Sequence, residues 1–269
     1  MAGRRIFGID FSGAAKAGNL IWLAEAVQTG DSLTITSCRR AADLPGGTVD
    51  RDVALAALRT FIAATPDAIF GCDFPFSLPR KLIEEADWPS FIAGFSHRDA
   101  DAFRAHCRSR SSGREIKRKT DELSRTPWCA YNLRLRHQTF HGLGTLLRPL
   151  VLADQAVVLP MQKPREGRPW LIETCPASLL ISIGHRPSYK GRKQRDIRSA
   201  LVSELIGRGL FRELPPEIHR TVIDNAGGDA LDSILAAVAT AAALSEVEAG
   251  RGGDSLEGRV YFKVSTKAA

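Results

Sequence analysis

The stretch Arg5-Ile6-Phe7-Gly8-Ile9-Asp10-Phe11-Ser12 carries the fold assignment, because an apolar strand here runs straight into a carboxylate and a turn. A buried acid without a partner costs several kcal/mol, so Asp10 must face a cation, a metal ion or solvent. Read alone, it is equally an exposed strand-end residue feeding the turn at Gly13. The same design recurs. Ala68-Ile69-Phe70-Gly71-Cys72-Asp73 is a near-continuous apolar run, as a strand covered on both faces should be, and it too stops on an aspartate. Pro75 cannot donate to a ladder and holds Phe74 extended, which ends that strand at about Asp73.

Between these two runs, residues 20–27 and 32–38 read as strands separated by turns at 13–19 and at Gly30-Asp31, so the chain begins as an antiparallel meander. After Pro45-Gly46-Gly47, Thr48 is placed to cap a helix running to about Ala64, with Val53, Leu55, Ala56, Leu58, Phe61 and Ile62 as its apolar stripe and Pro66 beyond its end. Three antiparallel strands, a helix and a buried strand parallel to the first predict an α/β sheet of mixed direction. If the first and fourth strands are neighbours, Asp10 and Asp73 meet at the carboxyl ends of parallel strands, where open sheets hold their ligands.

Two more acidic positions follow the pattern. Residues 157–159 and 170–174 return to the sheet, placing Glu173 near a strand end closed by Pro176. Its plainer reading is a surface ion pair with Arg165 or Arg168. Asn225-Ala226-Gly227-Gly228-Asp229-Ala230-Leu231-Asp232 then enters an alanine-rich helix to about Val247, with Asp229 and Asp232 on one face. A structural reading stands beside this one, with Asp229 as N-cap and Asp232 complementing the helix dipole. Helices are also expected over 196–209 and from Pro215-Pro216, and a short strand or docked tail over 257–262.

Residues 80–160 read as a helical, basic insertion after the fourth strand, with helices at 81–86, 99–107 and 114–123. Lys and Arg exceed Asp and Glu by 7 in the whole chain. Residues 97–148 alone hold 12 of the cations against 5 acids, and Arg186, Lys190, Arg192, Lys193, Arg195 and Arg198 form a second cluster. Basic patches on an otherwise acidic scaffold suit a polyanion such as nucleic acid, and solvated helix faces are the alternative. Trp128, Tyr131, His137 and His141 among those cations would suit stacked bases, or simply local core. His137 and His141 have the i, i+4 spacing of a zinc pair, but the histidines form no clean ligand set.

At 269 residues the chain is read as one domain spanning 1–269, with the insertion inside it. The beginning Met-Ala-Gly-Arg-Arg lacks a signal-peptide core, and the apolar run Ile234–Leu244 is short of the roughly 20 residues that span a bilayer. A cytoplasmic protein with no membrane partner is expected. Five scattered cysteines without a Cys-x-x-Cys pair suggest neither a disulfide framework nor structural zinc.

Asp10, Asp73, Glu173, Asp229 and Asp232 repel one another if they cluster, unless cations neutralise them. Hard oxygen ligands with open positions match Mg²⁺ or Mn²⁺, and two such ions activate water and stabilise the leaving oxygen in phosphodiester hydrolysis. The Gly8-Ile9-Asp10-x-Ser12 start, Asp73-x-Pro75-x-Ser77-Leu78-Pro79, Glu173-x-x-Pro176 and Asp229-x-x-Asp232 followed by small residues together resemble the domain-of-unknown-function family 429, whose members are predicted RNase H-like nucleases. The resemblance covers most of the chain outside residues 80–160. It implies an RNase H-like five-stranded mixed sheet flanked by helices. By analogy with RuvC-type resolvases, it also implies metal ligation by Asp10 and Asp73 from strands and by Asp229/Asp232 from the helix, with Asp232 taken as the metal ligand of that pair.

On this reading the chain is a metal-dependent nuclease in which Asp10 bridges the ions. Asp229 or Glu173 orients the attacking water, and Lys16 and Arg80 contact phosphates. RNase H proper carries an acid on its first helix, where only Asp50 and Asp52 stand here. Two other readings remain open. One is an actin-like or sugar-kinase-like phosphotransferase using the glycines at Gly8, Gly13, Gly227 and Gly228 as phosphate loops. The other is a non-catalytic nucleic-acid-binding module whose acids are structural caps.

Overall fold

Strand β1 (Arg5–Asp10) lies in the interior of the sheet, and the order of the other elements follows from what can pair beside it. The structure, a computed structural model, describes residues 5–185, 187–250 and 253–264. After β1 the chain makes α1 (Ala17–Leu20), the hairpin β2 (Trp22–Thr29) and β3 (Ser32–Arg40), then α2 (Arg51–Ala63) and β4 (Ala68–Asp73). Five helices follow: α3 (Trp88–Gly94), α4 (Ala100–Arg110), α5 (Lys119–Ser124), α6 (Arg136–His141) and α7 (Arg148–Leu152). The sheet resumes with β5 (Val157–Val158) and β6 (Trp170–Thr174). Helices α8 (Pro176–Ser182), α9 (Arg195–Gly207), α10 (Pro216–Asp224) and α11 (Asp229–Glu248) precede the short strand β7 (Val260–Tyr261).

The fold is α/β, with a mixed seven-stranded sheet flanked by helices. Its order is β3-β2-β1-β4-β6-β5, with β7 also paired to β6. Strand β2 is antiparallel to β1 and β3, whereas β1, β4, β6, β5 and β7 run parallel. The expected five strands become seven because β5 and β7, two residues each, dock in succession along the same edge of β6. Several boundaries also move. Asp50, not Thr48, caps α2, its carboxylate accepting from the amides of Asp52 and Val53. Residues 81–86 supply only one 3₁₀ turn before α3 restarts behind its cap Asp87. Residues 114–118 are not helical, since Ile116 N donates to Tyr131 Oη at 2.7 Å and the helix begins only after Arg118.

Side-chain alternation assigns each sheet face its own core. Phe7, Ile9, Phe70, Cys72 and Leu171 point to the face covered by α2 and the 80–160 helices, where Trp88, Phe103 and Leu143 are fully buried. Ile6, Ile69, Trp170 and Ile172 point to the other face, under α8 to α11. Helix α11 is long and apolar enough to cross a membrane by length and composition, but 72% of its apolar window is buried here. It packs as the buried helix that its alanine-rich sequence suggests.

Candidate active site

The site begins with two glycines. Gly8 and Gly71 are direct partners across the β1–β4 ladder, and both face α11. A Cβ at Gly8 would lie 2.1 Å from Ala237 N and Ser233 O, and one at Gly71 would lie 1.8 Å from Thr240 Oγ1. With no side chain on either, the helix lies directly on the strands. Two residues further along, with the same parity, come Asp10 and Asp73, again direct ladder partners. The first turn of α11 thereby brings Asp229 and Asp232 over the same strand ends, and all four aspartates line one cavity of about 370 Å³.

Asp232 is buried and fully engaged. Lys190 Nζ stands 2.6 Å from its Oδ2, and the Tyr189 hydroxyl donates to its Oδ1. Among the described residues, neither the Asp10 nor the Asp73 carboxylate accepts a hydrogen bond. Burial, then the charges of Asp232, Asp73 and Asp229, hold the Asp10 pKa well above the ordinary carboxylate range, with Lys190 opposing. Burial and Asp232 likewise push Asp73 up to about 8. For Lys190, burial works against the charge, and Asp232, Asp10 and Asp73 outweigh it, so its pKa is raised. The pocket thus crowds four carboxyl groups around one ammonium group, which makes Asp10 and Asp73 hard to ionise.

The loop carrying Tyr189 and Lys190 is fixed by Arg198 of α9, which is buried. Arg198 donates to the carbonyls of Tyr189, Gly191 and Ile223, each at 2.9 Å, and Gly191 N donates to Ala226 O at 2.7 Å. One side chain therefore ties the loop to the segment that leads into α11. The basic clusters lose two members from the surface in this way, because Arg118 and Arg198 are 0% and 1% exposed. Arg186 of the second cluster lies outside the described residues.

Glu173 lines the same cavity but is held differently from the aspartates. It pairs in register with Cys72, one residue before Asp73, and therefore points to the opposite sheet face. There Arg118 clasps it, Nη2 to Oε1 at 2.5 Å and Nη1 to Oε2 at 2.8 Å, while Phe76 N donates to Oε2 at 2.9 Å. Asp121 completes the buried triad on Arg118. The alternative reading of Glu173 as a surface partner of Arg165 or Arg168 does not hold, because Glu173 is buried on Arg118 and both of those arginines pair with Asp154. Lys16 and Arg80 are exposed and do not line the pocket; the cations that do are Lys190 and Arg118. Nothing in the spacing of Tyr189, Lys190 or Arg118 marks them in the sequence.

The donor chemistry of Asp10, Asp73 and Asp232 suits a hard divalent cation. As the side chains stand, no three His, Cys, Asp or Glu among the described residues form a group able to hold an ion, and Lys190 supplies the counter-charge. His137 and His141 stack with ring centroids 6.4 Å apart and belong to no such group. Gly8 lies within a strand, which leaves it no part in a phosphate loop. Comparison with protein-family models, curated proteins and solved structures yields no match.

Proposed function

We propose that this chain is an RNase H-like, Mg²⁺- or Mn²⁺-dependent nuclease that hydrolyses phosphodiester bonds of nucleic acid. The observation that carries the reading is the in-register pair Asp10 and Asp73 on adjacent parallel strands, with Asp232 of α11 lining the same cavity. The order β3-β2-β1-β4-β6 with β2 alone antiparallel to β1 supports it, being the arrangement that the resemblance to domain-of-unknown-function family 429 implies. So does the electrostatics: Asp10 and Asp73 have pKa values raised by burial and then by neighbouring carboxylates, and a bound cation would offset that cost of ionising them.

Asp10, Asp73 and Asp232 would hold the metal, which when bound supplies an activated water and a counter-charge for the leaving oxygen. Tyr189 fixes Asp232 by donating to Oδ1. Asp229, half-buried at the pocket wall, is placed to accept a hydrogen bond from the attacking water. Lys190, with 53% of its side chain exposed, is placed to meet a substrate phosphate. Glu173 holds Arg118 and the wall behind the site, which leaves the water to Asp229.

The test is cleavage of labelled single strand, duplex, RNA–DNA hybrid and four-way junction with Mg²⁺, Mn²⁺ or EDTA. Outer-shell partners of a metal are each worth about 10- to 100-fold, so Asp10→Asn should lower cleavage by more than roughly 100-fold. It should leave the far-UV circular dichroism unchanged. No metal-dependent cleavage by a folded wild type on any of the four substrates would sink the proposal.

A further inference from the structure

The cavity has a second wall that the carboxylates do not explain. It is built from Thr126, Pro127, Trp128 and Leu135, with Leu20 and Pro75 also lining the cavity. Of the four tryptophans, Trp22, Trp88 and Trp170 are at most 8% exposed, whereas Trp128 is 37% exposed and Leu20 is 39%. An indole and a leucine at the edge of a carboxyl-lined cavity form a partly open apolar surface. Arg134 lies over the indole with its guanidinium carbon 4.9 Å from the ring centroid, which holds the ring in one orientation. Arg134 thereby places positive charge beside Trp128, and Arg125, also exposed, lies three residues before it in the sequence.

We propose that this wall is a stacking platform for one unpaired nucleobase, so that the substrate is single-stranded nucleic acid. The inference rests on the nuclease reading and narrows it. A base stacked on Trp128 places its sugar-phosphate between the indole and the carboxylates, and Arg134 and Arg125 meet the neighbouring phosphates. A closed duplex cannot use such a wall, because its base faces are already stacked on one another; an unpaired strand offers them freely. The cavity, at about 370 Å³, is also near the small end of ligand pockets, which run to roughly 300–1,000 Å³.

Trp128 is the one open tryptophan, so the acrylamide-accessible share of the emission reports the platform. The protein with Mg²⁺ is titrated with a hydrolysis-resistant phosphorothioate hexanucleotide, and separately with a blunt hairpin of the same linkages. The hexanucleotide should quench the emission and shield it from acrylamide, and the hairpin should not. Anisotropy of the labelled hexanucleotide should show Trp128→Ala binding about 10- to 100-fold more weakly, with Trp128→Phe restoring most of the affinity. Equal binding of hexanucleotide and hairpin, unchanged in Trp128→Ala, or no binding of either, overturns the inference. The two readings fail separately. Strand-selective quenching without any cleavage would retain the platform and remove the nuclease, whereas duplex cleavage at equal rates in wild type and Trp128→Ala would do the reverse.

Discussion

Arg118 is the residue on which the wall between pocket and core depends. Its guanidinium is fully buried between Glu173 and Asp121, and it donates to both. Two carboxylates share one cation, and without the arginine both would be left buried and unpaired. Removing one partner of a buried ion pair costs about 3–5 kcal/mol, because the survivor stays buried and charged. Arg118→Met should therefore lower the unfolding free energy by about that amount in urea titrations, and adding Glu173→Gln should recover part of the loss. The role of Glu173 was half legible. Its strand-end position could be read from Trp170-Leu-Ile-Glu-Thr, but the face it points to depends on the β4–β6 register, and its partner is an arginine in a distant loop.

At the scale of elements, β1, β4 and α11 are the parts that the sequence announces best, since their apolar runs, glycines and aspartates recur at matching offsets. What the sequence left unread is why the glycines matter. In the sequence Gly8 and Gly71 are only members of apolar runs, yet in the fold they let the helix come down onto the sheet so that its first turn reaches Asp10 and Asp73. In Gly8→Ala the new methyl would meet α11 backbone, not a flexible side chain. Overpacking of this kind costs about 1–3 kcal/mol, and here the helix must also shift away from the aspartates. Gly207→Ala is the matching control, since its Cβ would meet nothing within 4 Å at the end of α9, and a Gly to Ala change in a helix gains up to about 1 kcal/mol. Urea unfolding should give the two variants opposite signs. The helical insertion was legible in kind and poorly in detail, because its boundaries are set by caps such as Asp87 and Asp99 and by tertiary bonds such as Ile116 to Tyr131.

Across the whole molecule, charge is the property least legible from the sequence. A count along the sequence cannot distinguish an arginine on a surface from Arg118 or Arg198, which spend their hydrogen bonds inside the protein. The buried titratable groups also give stability two opposing dependences on pH. His141 is held down to about 4 by burial and by Arg51, so the unfolded chain takes up its proton first and this group's contribution is lost as pH falls from about 6.5 towards 4. Asp73, pushed up to about 8, works in reverse: the folded state keeps the proton longer, so its contribution declines as pH rises from about 4 to 8. In EDTA, His141→Gln should flatten the acid side of a melting-temperature profile and Asp73→Asn the alkaline side. Parallel profiles for all three proteins would show that neither group is linked to folding.

The two sheet faces also divide the chain in time. Strands β1 to β4 and the helices over the first face are complete in the N-terminal part, whereas the Gly8–Gly71 face is covered only by α8 to α11, all of which follow β6. A chain emerging from the ribosome at roughly 5–20 residues per second therefore carries Asp10 and Asp73 for some seconds before Asp232 exists to join them. During that interval the strands expose an uncovered apolar face, and the acidic set is incomplete. The second core and the pocket both need α11, so a chain that stalls before it has neither.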